Sequence, residues 1–166
     1  MRQDRLKKNI LPIADKLFRL ALSITGNKED AEDVVQDVYY NVWKKRDEWE
    51  AIENLEAYCF RSVRNTALDK IVLKENQHQT IPDDFDFPVQ GGDIQHEMEV
   101  REQIDSLEKW LKTRPEIQQT IFLLREIEGM SYKEIATVLN ISEEQVKAYL
   151  FRLRRKLKEY FEKMER

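Results

Sequence analysis

Two helix-start signals eleven residues apart set the tightest constraint on this chain. Ser131-Tyr-Lys-Glu134 is a capping box, in which a hydroxyl and a carboxylate each satisfy a free backbone N–H of a first helical turn, and Ser142-Glu-Glu-Gln145 repeats the device. Between them stand Tyr132, Ile135, Ala136, Val138 and Leu139, then Asn140 and Ile141. A helix of about two turns must therefore stop, reverse and restart within about three residues, which is a helix-turn-helix. Small Ala136 lets the two helices cross closely, and Asn140 tolerates a left-handed turn. Val146, Leu150, Leu153 and Leu157 form the apolar stripe of the second helix.

The opposite face of that helix carries Lys147, Ala148, Phe151, Arg152 and Arg155 at helical spacing. From Gln145 to Lys158 there are six basic residues and no acidic one. Such a face, starting near a helix N-terminus, suits entry into a DNA major groove. There Phe151 can meet thymine methyls and Arg152 can pair bidentately with a guanine edge. A solvated basic face, with Phe151 buried against a neighbour, is the plainer reading of the same residues.

The rest of the chain reads as helices too. Ile10, Ile13, Leu17, Leu20 and Ile24 continue a stripe from Leu6 up to Gly26, which closes a first helix. Asn27 caps a second, with Glu29, Asp30, Glu32 and Asp33 near its start and Ala31, Val34, Val35, Val38 and Val42 as its stripe. Asn54 caps a third that runs to about Leu73. From Gln77 the period fails through two prolines and Gly91-Gly92, then returns near Met98. Pro115 suits the first turn of a further helix, with Ile117, Ile121, Phe122, Leu124 and Ile127 inward and Gly129 at its end. The expected fold is all-α: two small helical domains, residues 1–76 and 95–166, joined by an acidic flexible linker over 77–94.

The net charge of −4 conceals this arrangement. Residues 1–76 are neutral, 77–106 carry −7 and 107–166 carry +3, so the cationic helix has a local field that the total misdescribes. With one cysteine there is no internal disulfide, and Cys59 reads as a small buried apolar residue. Four Gly and four Pro leave little turn chemistry for a many-stranded sheet. Apolar runs are too short for a bilayer span, and no secretion signal opens the chain. His78 and His96 have no Cys at ligand spacing, so no zinc site is expected, and no phosphate loop or nucleophile elbow occurs. Trp43 and Trp110 read as core or module-interface anchors.

Taken in order, these segments resemble an alternative sigma factor of the extracytoplasmic-function group. Asp30 to Tyr39 resembles the clamp-binding helix of region two, and Asn54 to Asp69 the promoter-melting helix that follows. Phe122 to Ala136 and Val146 to Leu157 resemble region four. The resemblance implies a protein that is not an enzyme and takes no cofactor. It would bind core RNA polymerase, direct it to promoter DNA and assist duplex melting, while nucleotide chemistry stays with the polymerase.

Carried over by position, the resemblance implies polymerase contacts at Asp33, Gln36, Asp37 and Tyr40, though first-turn acids are favoured by the helix dipole in any case. Around the minus-ten element it implies Trp49, Ile52, Asn54 and Asn65, with Arg61, Arg64 and Lys70 beside phosphates. A flipped base costs a few kcal/mol of lost stacking, which a pocket of stacking and hydrogen-bonding groups offsets. Trp49 reads equally as a core residue closing its loop. The minus-thirty-five contacts fall on Lys147, Ala148, Phe151 and Arg152, with phosphates met by Arg154, Arg155 and Lys158. Ala148-Tyr149 stands where the common pattern has Ser-Arg, so upstream affinity or preference is expected to shift. The acidic linker is either threaded through the polymerase cleft or a soluble tether. The resemblance further implies a cytoplasmic protein, monomeric when free, not inserted in the membrane, and held by an anti-sigma factor of the kind often anchored there. The length leaves no room for the extra regions of a primary sigma factor. A sigma-like decoy for an anti-sigma factor and an ordinary helix-turn-helix regulator remain as alternatives.

Overall fold

A computed structural model describes Lys8, residues 10–76 and residues 94–164 of the chain. Leu6, His78 and the linker expected over 77–94 lie outside the described residues, apart from Ile94. Among those described there is no strand.

A short 3-10 turn, Leu11–Ile13, leads into α1 (Ala14–Thr25), which Gly26 ends at φ 79°. Helix α2 (Lys28–Lys44) starts where the Asn27 side chain accepts from the Asp30 N–H at 2.8 Å. All five residues of its expected stripe, Ala31, Val34, Val35, Val38 and Val42, are buried. A second 3-10 stretch, Arg46–Ala51, then reaches α3 (Leu55–Asn76), where Asn54 accepts from the Ala57 N–H at 3.0 Å. Leu55, Ala57, Cys59, Phe60, Val63 and Ala67 bury α3 against α1 and α2 on one side and the C-terminal module on another.

The second module comprises α4 (Ile94–Lys112), α5 (Glu116–Phe122), α6 (Tyr132–Leu139) and α7 (Glu143–Met164). Pro115 stands one residue before α5, at its cap rather than inside its first turn. Helix α5 widens into a π-turn over Leu123–Ile127, where the Glu128 N–H reaches back five residues to the Leu123 carbonyl at 3.0 Å. This corrects one expectation. Ile127 is 39% exposed rather than inward, because a wider turn rotates it off the 3.6-residue stripe that Ile121 and Leu124 follow. One apolar core runs from Ile10 to Leu150 across both modules. Trp110, Leu111, Phe122 and Leu153 form a smaller one under α4 and α7. No helix among the described residues is long and apolar enough to cross a membrane.

Trp49 is 1% exposed, its indole N–H donates to the Val42 carbonyl at 2.8 Å, and its ring meets Trp43 edge-on. Base stacking by Trp49 is therefore set aside: the ring is spent on closing the loop after α2. The Cys59 thiol is also enclosed, and burial, with the nearby charge of Glu56, pushes it up to about 12. Asp30 ties α2 to the far half of α3 through Lys74 and, at 4.0 Å, Lys70. Burial pushes its carboxyl up, but hydrogen bonds from Lys74 and Asn27 and the charges of both lysines outweigh burial and leave it below the ordinary 3.8.

Trp49→Ala is expected to lower stability by about 3–5 kcal/mol, read from urea unfolding by circular dichroism, because it opens a cavity and removes a buried hydrogen bond. The Asp30 contacts stabilise the fold in full above about pH 4, and that contribution is lost as pH falls through the lower folded-state value. Asp30→Asn should therefore flatten the acid limb of urea midpoints measured from about pH 5 downward. An unchanged acid limb would contradict the assignment.

Candidate nucleic-acid interface

The helix-turn-helix is built by the two caps. The Ser131 hydroxyl accepts from the Glu134 N–H at 3.1 Å and donates to the Glu134 carboxylate at 3.0 Å. At the second cap the exchange is fully reciprocal: Gln145 N–H to the Ser142 hydroxyl at 3.1 Å, and Ser142 N–H to the Gln145 amide oxygen at 2.9 Å. Asn140 takes φ 57° between them. With Val146, Leu150 and Leu153 buried, α7 turns Lys147, Phe151, Arg152 and Arg155 outward, while Ala148 is half-buried.

Phe151 is 67% exposed, which removes the plainer reading that a neighbour covers it. The Arg155 guanidinium lies 6.0 Å from its ring. A second aromatic that the sequence did not single out, Tyr132, has Arg125 at 4.4 Å and Lys147 at 5.8 Å from its ring centre. Arg154 is exposed but engaged: Glu126 accepts from it at 2.6 and 3.0 Å, and this hydrogen bond raises the guanidinium above its ordinary value. Lys158 is exposed beside Glu162 at 4.0 Å.

On α2, Asp33, Gln36, Asp37 and Tyr40 are all exposed on the side away from the valines. Lys70 stands 3.5 Å from the Asp33 carboxylate, and Lys44 lies 5.0 Å from the Tyr40 ring centre. Of the residues expected near the minus-ten element, Arg61 and Asn65 lie one turn apart on α3 and are exposed. Asn54 is exposed but its side-chain oxygen serves the α3 cap, and Ile52 packs against the core. Arg64 points elsewhere: its Nε and Nη2 donate to Glu116 at 2.9 and 2.8 Å. Lys70 is likewise engaged with acids of α2 rather than standing free.

The chain matches the family described as Sigma-70 region 2 over residues 12–75, and the one described as Sigma-70, region 4 over residues 115–157. Fold and surface together therefore define a two-region protein of the sigma-70 class. It shares 28% identity over 159 residues with the ECF RNA polymerase sigma factor SigE of Mycolicibacterium smegmatis, covering 90% of this chain and 59% of that protein. With the ECF RNA polymerase sigma factor SigM of Bacillus subtilis it shares 28% over 145 residues, or 86% of each chain. The fold is also that of the sigma factor RpoE from Bartonella quintana, solved in complex with the anti-sigma factor NepR, at a TM-score of 0.73 and 24% identity over 95% of this chain and 96% of that one. This chain belongs to the sigma-70 family, and the relatives it is similar to are extracytoplasmic-function members of it.

Because Phe151 touches little of the core, Phe151→Ala is expected to change stability by no more than about 0.5 kcal/mol. Leu150→Ala, one residue earlier and 1% exposed, should cost about 2–5 kcal/mol in the same unfolding assay.

Proposed function

We propose that the chain is an alternative sigma factor that binds core RNA polymerase and directs it to promoters, reading the minus-ten and minus-thirty-five elements and assisting duplex melting. The observation that carries this reading is the outward face of α7, where an exposed phenylalanine stands among cations on the second helix of a doubly capped helix-turn-helix. The order of the two family regions along one chain supports it. Residues 1–76 act as the polymerase-docking and melting domain, 77–94 as the connector and 95–166 as the upstream-reading domain. The protein works in the cytoplasm. It supplies binding energy and no chemistry of its own.

Asp33, Gln36, Asp37 and Tyr40 form the docking face for the clamp of the largest polymerase subunit. Asn65 and Arg61, with Asn54 and Ile52 at the loop, receive the minus-ten strand, and Arg64 joins them when released from Glu116. Lys147, Ala148, Phe151 and Arg152 enter the upstream major groove. Arg155 and Lys158 follow phosphates, which position the helix without specifying sequence. Arg154 contributes there only in competition with Glu126. An anti-sigma factor is the expected regulator, since a protein of the same fold is solved with one.

Core polymerase plus this chain should yield discrete transcripts from a fragmented bacterial genome, and Asp37→Lys should abolish co-purification with the polymerase. Arg152→Ala should cost about 1–3 kcal/mol of sequence discrimination at one upstream position, whereas Lys158→Ala should weaken all duplexes alike and lower the salt slope by about one. Absence of any promoter-dependent transcript would refute the reading. The decoy alternative predicts no salt-dependent duplex binding at all.

A further inference from the structure

Two bidentate ion pairs join the modules. Arg19 of α1 donates through Nε and Nη2 to Glu128 at 2.6 and 3.0 Å, and the Glu128 side chain is only 1% exposed. Arg64 of α3 donates in the same fork to Glu116, the first residue of α5, and the Thr120 hydroxyl steadies that carboxylate at 2.7 Å. The pairs bridge 109 and 52 residues of sequence, with a shared apolar core between them.

Resting on the sigma-factor reading above, we propose that these pairs latch the free protein shut, and that Arg64 exchanges Glu116 for a promoter phosphate when the modules part. A guanidinium fork fits a carboxylate or a phosphate equally well in geometry, and holds one of them at a time. While Glu116 occupies it, the cation is withheld from DNA. The loop beside it is no more receptive. Glu53 and Asn54 face Lys133 and Glu134 of the opposite module across a cleft of about 610 Å³, which Glu56 also lines. Carboxylates there repel a nucleic-acid backbone.

Length makes the closed form unable to serve both elements. Sites at minus ten and minus thirty-five lie about 25 base pairs apart, or about 85 Å along the duplex at ~3.4 Å per pair. A compact chain of this size is only about 40 Å across. The docked modules must therefore separate before both elements are held, and separation breaks both ion pairs along with the apolar contacts between them.

The test uses the full chain and two independent readouts. Small-angle scattering should report a larger radius of gyration for the Glu116→Gln, Glu128→Gln double variant than for the natural protein, because each substitution leaves a largely buried guanidinium without its counter-charge. Anisotropy titration with a mixed-sequence fork DNA should show Glu116→Gln binding about fivefold tighter and Arg64→Ala binding more weakly, though both open the molecule. The exchanged pair Arg64→Glu with Glu116→Arg should be compact again, which guards against an unfolded variant passing as an open one. Equal radii for the natural and double-variant proteins would overturn the latch. Weaker DNA binding by Glu116→Gln would overturn the exchange at Arg64. Expansion of the double variant with no DNA binding by any form would retain the latch and discard the sigma-factor reading, so the two fail separately.

Discussion

Helix α3 has to bury two sides at once, and much of the molecule follows from that requirement. Its small residues, Ala57, Cys59 and Ala67, let neighbouring backbones come close, while Phe60 and Val63 fill the space beside them. Helices α1 and α2 cover one side and α6 another. Such a helix leaves the polar residues of its middle turns only a narrow strip, while Lys70 and Lys74 further on turn toward the acids of α2. Arg61, Arg64 and Asn65 share that strip, so the groups suited to DNA stand beside the groups that dock the second module.

The local devices of this fold were legible because each is a matter of short-range spacing. Both caps of the helix-turn-helix, the left-handed Asn140, the Asn27 cap and the valine stripe of α2 depend on residues no more than a few turns apart. The misplacement of Ile127 has a different origin. A stripe read at 3.6 residues per turn cannot anticipate a π-turn, whose wider spiral depends on how Leu123 and Leu124 seat in the core. Trp49 was ambiguous for a third reason: an indole in a loop between helices suits a base or a core, and only its distance to the Val42 carbonyl decides between them.

The same limit applies more strongly to the site. That Lys147, Phe151, Arg152 and Arg155 share a face could be read from periodicity, as could Asp33, Gln36, Asp37 and Tyr40. Which cations are available could not. Arg154 and Arg155 are adjacent in a basic run, yet one is bound to Glu126 and the other lies by an exposed ring. Arg61 and Arg64 differ in the same way, because Glu116 is brought to Arg64 by a docking event 52 residues removed. Local sequence contains no signal for such pairings, since many carboxylates stand at helix starts and any of them is an equally good partner on composition alone.

These pairings also bear on how firmly the modules hold together. Largely buried ion pairs add less net stability than their attraction suggests, since desolvating both charges offsets much of it. The continuous apolar core and the two forks therefore hold the modules together jointly, and the forks also set register: removing one partner strands the other charge in a largely buried site, which tips the balance toward separation. Register imposed by charge has a property that apolar adhesion lacks: a competing anion or cation can weaken it without dissolving either module. A ligand shifts a two-state equilibrium only by its preference for one state. A polyanion that prefers Arg64 unpaired meets that condition, as does a partner that takes Glu128 or Glu116 for itself. The docked arrangement is thus responsive because its alignment depends on charged groups that other charged surfaces can claim.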